Sequence, residues 1–93
     1  MPSFDVAHIN EQGQDMIFFP LDDSFDHKTA ADQNSILVGL QAGAHRAGLA
    51  GRAVAVWQRG RETRFLGPPS WRAFFQSIDM GFVLANVNRE ISW

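Results

Sequence analysis

Cysteine is absent from this chain, which excludes disulfide staples, zinc-thiolate sites and thiol chemistry. Tyrosine is absent as well, while phenylalanine occurs eight times. That balance favours a packed aromatic core over a polar aromatic binding surface. The N-terminus carries no positive region followed by an apolar core, and no apolar run approaches the length of a membrane span. A soluble, cytoplasmic protein without a membrane attachment is therefore expected. Base is scarce in the first half: before His45, Lys28 faces Asp5, Glu11, Asp15, Asp22, Asp23, Asp26 and Asp32. From Arg46 onward the balance reverses, with Arg46, Arg52, Arg59, Arg61, Arg64, Arg72 and Arg89 against Glu62, Asp79 and Glu90. If the fold keeps the two sets apart, opposite faces of opposite charge favour self-association or a charged partner. If the halves interleave, the charges neighbour one another on a mixed surface. The slightly negative net charge of −2 argues against a dedicated nucleic-acid binder.

What the chain does have is a long helical stretch, Thr29 to Gly48, between segments of strand character. Ile36, Leu37, Leu40, Ala44 and Ala47 recur at three- and four-residue intervals and would share one side of a helix. Thr29 is a capping residue, with Asp32 at the capping-box position. Arg46 suits the negative end of the helix dipole, and Gly48 can close the helix in the left-handed conformation. Gly39 and Gly43 each cost about 1 kcal/mol relative to alanine in a helix interior. With Ala47 they form a smooth strip, read first as close packing against the protein's own sheet. Val38, Ala42, His45 and Leu49 form a second stripe. A helix apolar over most of its circumference is covered on two sides, and in a small protein the second cover can be a partner chain. The candidate partner-binding residues are accordingly Val38, Gly39, Ala42, Gly43 and His45.

The flanks read as strands. Phe4 to Asn10 alternates in polarity, and Met16 to Leu21 is apolar on both parities, as for a strand covered on both faces or one lying under the helix. Together they predict a hairpin, with Pro20 at a strand end, at a bulge or toward an edge, since it cannot donate to the ladder. Arg52 to Gln58 and Thr63 to Leu66, joined around Gly60, predict a second hairpin, which Gly67, Pro68 and Pro69 end. Trp71, Phe74, Phe75 and Ile78 predict a short aromatic helix, capped by Ser70 and closed at Gly81. Phe82 to Trp93 then reads as a final strand. Ninety-three residues suffice for one domain spanning 1–93. The expected fold is α+β in the order ββαββαβ: a mainly antiparallel sheet of two hairpins plus a C-terminal strand, the long helix on a face, and the short aromatic helix closing an end.

No catalytic constellation is legible: no nucleophile elbow, no phosphate-cradling P-loop, no dinucleotide fingerprint and no metal pair of histidines at helical spacing. His45 is expected to hydrogen-bond Gln41, one turn earlier. The leading expectation is a non-enzymatic protein-interaction or oligomerisation module without a cofactor, a homodimer or bound to another protein. An alternative is nucleic-acid or anion binding by Arg59, Arg61 and Arg64 on the second hairpin, since guanidinium forks pair with phosphate and carboxylate. A further alternative is a divalent-cation site at Asp22, Asp23, Asp26 and His27, where oxygen ligands cluster without the EF-hand spacing. Phe25, within that segment, is expected in the core.

Overall fold

A computed structural model describes residues 3–11 and 13–92. β1 (Ser3–Glu11) and β2 (Gln14–Pro20) pair antiparallel as the first hairpin. A 3-10 turn (Asp23–His27) leads to α1 (Ala30–Arg46), and the chain returns as β3 (Arg52–Arg59). Because α1 carries the chain back across the sheet, β3 lies parallel to β2, with Met16 opposite Arg52 and Pro20 opposite Val56. β4 (Glu62–Leu66) completes the second hairpin, and β5 (Arg89–Ser92) pairs antiparallel with the outer side of β1. The sheet order is β4-β3-β2-β1-β5, an α+β arrangement with three antiparallel pairings and one parallel.

β2 lies at the centre of this sheet, which is why its apolar run shows no alternation. Met16, Ile17, Phe18 and Phe19 are all buried, but they point into two different cores. Ile17 and Phe19 join Val6, Leu40 and Ala44 beneath α1. Phe18 and Met16 join Val54, Val56, Phe75 and Val83 on the other face. Each such large side chain contributes about 1.5–3 kcal/mol when withdrawn from water. Phe25 fills a smaller core with Ala55 and Trp57, its ring 4.7 Å from the indole.

The ends of α1 follow its sequence signals. The Thr29 hydroxyl accepts a 3.1 Å bond from the Asp32 amide, and Gly48 takes φ +87° just beyond the C-cap. Leu40 and Ala44 are buried and Ile36 and Leu37 partly so, but Ala47, the C-cap just past the last helical residue, is exposed. Leu49 lies past the helix and is buried in the core instead of continuing the Val38, Ala42, His45 stripe. Inside the turn, Gln41 reaches across: its amide donates to Gly51 O at 2.8 Å and its carbonyl accepts from Ala53 N at 2.7 Å. One side chain thus ties the middle of α1 to the first residues of β3.

The C-terminal third departs from the expected pattern. Instead of one helix over Ser70–Gly81, a 3-10 turn (Pro69–Trp71) runs into α2 (Arg72–Gln76), with no side-chain cap from Ser70. Proline at the start presets φ for the turn and makes that cap dispensable. Instead of a strand from Phe82, α3 (Met80–Ala85) follows. Its N-cap is Asp79, whose carboxylate accepts from the Phe82 amide at 2.9 Å, so Gly81 lies within α3 and closes nothing. Val83 is fully buried against the sheet. The aromatic helix does not close an end: with α3 it covers the sheet face opposite α1, where Phe75 stacks on Phe65 at 4.9 Å and an interplanar angle of 8°. Only Arg89–Ser92 is strand, and Trp93 lies outside the described residues. Asn88 extends the β5 pairing by side chain, accepting from His8 N at 2.9 Å and donating to His8 O at 3.0 Å. Among the described residues no helix is long and apolar enough to cross a membrane.

Candidate functional site

With one side of α1 seated on β3, its other side faces outward. Asp32, Ser35, Gly39, Ala42 and Arg46 are all exposed, and their three- and four-residue spacing sets them along one line. Val38 flanks the line with 70% of its surface exposed, more than any other large apolar side chain described. Beside it runs a groove of about 500 Å³ between Val38, Ala42 and His45 on the helix and Arg52, Pro68 and Pro69 across from it. His45 stands at one end, its Nε2 3.2 Å from the Gln41 amide nitrogen. The Gln41–His45 contact is the one its spacing foretold. Since Gln41 already holds β3, it also fixes the imidazole relative to the groove.

Gly39 and Gly43 part company here. Gly43 is buried on the inner side of the helix. Gly39 is exposed, and a β-carbon built on it would meet nothing within 4 Å. Close packing on the protein's own sheet therefore does not account for Gly39. Of the five candidate partner-binding positions, Val38, Gly39, Ala42 and His45 lie together on the surface, and Gly43 does not. The facing wall of the groove, Arg52, Pro68 and Pro69, carried no signal in the linear pattern. Pro68 and Pro69 were legible only as strand terminators.

The second hairpin turns at Gly60, whose φ of +60° suits the first position of a two-residue turn. Its arginines do not form one anion cradle. Arg59 Nε lies 3.4 Å from Asp26 Oδ2, and Arg64 Nη1 lies 3.3 Å from Glu62 Oε1. Arg61, at the turn, makes no ion pair among the described residues. The exposed Arg64 pair contributes at most about 1 kcal/mol, so a phosphate could displace its carboxylate. Asp26 is held more firmly, because its Oδ1 also accepts from the buried Trp57 indole at 3.1 Å. This contact shows the acidic and basic halves of the sequence interleaved rather than segregated.

The same geometry explains the Asp22–His27 segment. Asp22 caps the 3-10 turn by accepting from Ser24 N at 2.9 Å, and that backbone bond, helped by the side chains of Asp23 and Ser24, holds its carboxyl below the ordinary aspartate range. Asp26 turns to Trp57 and Arg59, while Asp23 and His27 are exposed. Among the described residues no group of three or more His, Cys, Asp or Glu side chains is arranged to hold a metal ion. Two of the three carboxylates thus have structural work that the residue types alone did not reveal. Compared with family models, curated proteins and solved structures, the chain matches none of them.

Proposed function

We propose that this chain is a small, non-enzymatic interaction module that self-associates through the outward side of α1. The observation that carries the reading is Gly39. A glycine in a helix interior costs about 1 kcal/mol relative to alanine, and no group of its own chain occupies the space where a β-carbon would stand. An approaching backbone from a second molecule supplies the reason that the fold does not. Val38 and Ala42 offer apolar surface beside it, and the groove toward Pro68 and Pro69 gives that surface relief. Anion binding at Arg59, Arg61 and Arg64 has weaker support, because two of the three already face carboxylates.

Size-exclusion chromatography with light scattering over a dilution series tests the reading. The expected result is the mass of two chains at high concentration falling to one on dilution, with Val38→Asp shifting the transition to higher concentration. A wild-type chain that remains monomeric at the highest attainable concentration overturns it.

A further inference from the structure

We infer that the partner on this face is a second copy whose α1 crosses the first antiparallel, about a two-fold axis at Gly39. The inference rests on the self-association proposed above and adds its geometry. Asp32 in the first turn of α1 and Arg46 in the last both lie on the exposed line, and neither makes an ion pair among the described residues. Each is seven residues from Gly39. At 1.5 Å per residue they stand roughly 10 Å to either side of that position. Antiparallel crossing at Gly39 sets Asp32 of one copy opposite Arg46 of the other, twice. Parallel crossing would set carboxylate against carboxylate and guanidinium against guanidinium. The charge pattern therefore chooses the direction as well as the partner, as expected of a self-complementary interface.

Steric features agree with this placement. At the axis the two helices present Gly39 to Gly39, the position with open space around its α-carbon, which permits close approach. Val38 lies one residue from the axis, and the two-fold keeps both copies of it on the same flank, so the exposed valines meet each other. Ser35 and Ala42, the remaining outward positions, are small enough to let the helices close between the charged ends. The second exposed large apolar side chain, Leu84, sits on α3 at the opposite face of the sheet and takes no part.

Charge reversal and cross-linking test the geometry separately from the association. Asp32→Arg or Arg46→Asp alone turns two attractive pairs into two repulsive ones and is expected to weaken dimerisation roughly tenfold. The double reversal restores the wild-type constant. In a parallel pair the single reversals would change little, because like charges already face each other there. Since the chain has no cysteine, Gly39→Cys introduces a unique thiol, and oxidation is expected to give a disulfide-linked dimer. Ser35→Cys, whose two copies are roughly 12 Å apart along the axis, is expected to give none. A wild-type dimer with neutral charge reversals and no Gly39→Cys cross-link overturns the antiparallel geometry while leaving self-association standing. A wild-type monomer overturns both.

Discussion

Gly39→Ala separates what the monomer wants from what its partner face requires. In the isolated fold the new methyl group meets nothing within 4 Å, so no steric cost opposes the gain in helix propensity and the loss of unfolded-state freedom. The expected effect is stabilisation by about 1 kcal/mol. For a domain of this size that raises the melting temperature by about 4–8 °C. Urea denaturation, at a dilution where the chain is monomeric, should show a higher midpoint with an unchanged slope. In the dimer the same methyl groups arrive in pairs at the helix crossing, and light scattering should show weaker association. Opposite signs in the two assays are the signature of a residue kept small for a contact outside its own chain. A loss of monomer stability would mean that Gly39 packs on its own fold after all. Unchanged or tighter association in the alanine variant would place the contact elsewhere and remove the main support for the α1 face.

Gly51→Ala is expected to destabilise by about 1–3 kcal/mol, because at φ +124° its β-carbon would stand 2.6 Å from Asp15 O; thermal denaturation checks this. Gln41→Leu preserves most of the side-chain volume but leaves Gly51 O and Ala53 N without their bonds, at a cost of about 1–3 kcal/mol in urea denaturation. Asp22, whose carboxyl is lowered in the fold, contributes a stability that is complete above the ordinary aspartate pKa of about 4 and is lost as pH falls through the lowered value. The melting-temperature gap between wild type and Asp22→Asn should therefore be constant near neutrality and close in acid.

Where local periodicity and capping agreed with the eventual packing, the sequence was readable. Thr29 and Gly48 bracket α1 because their side-chain chemistry and conformational freedom act within a few residues. Two-sided burial of β2 was legible in Met16 to Phe19 because a run without alternation has no wet face to present. Asp79 was the overlooked signal in the last third. It caps α3, but Gly81 two residues later and the apparent alternation of Val83, Ala85 and Val87 imitated a helix end followed by a strand. Burial of Val83 under the Phe18 face decided between the two patterns, and burial is a property of the assembled fold.

At the candidate site, local signals sufficed to make α1 long and capped, to place Gly39 and Gly43 in its interior, and to set Val38, Ala42 and His45 on one side. Which glycine faced inward and which outward depended on the assembled fold. Gly43 turned inward and Gly39 outward because the sheet covers one side of α1 and leaves the other open. It also decided that Asp26 would serve Trp57 and Arg59, over thirty residues away, and that Pro68 and Pro69 would wall a groove against Val38. The physical reason is one of range. Propensity, capping and periodicity act over a turn or two of chain, whereas exposure and pairing depend on which distant segments come to share a surface.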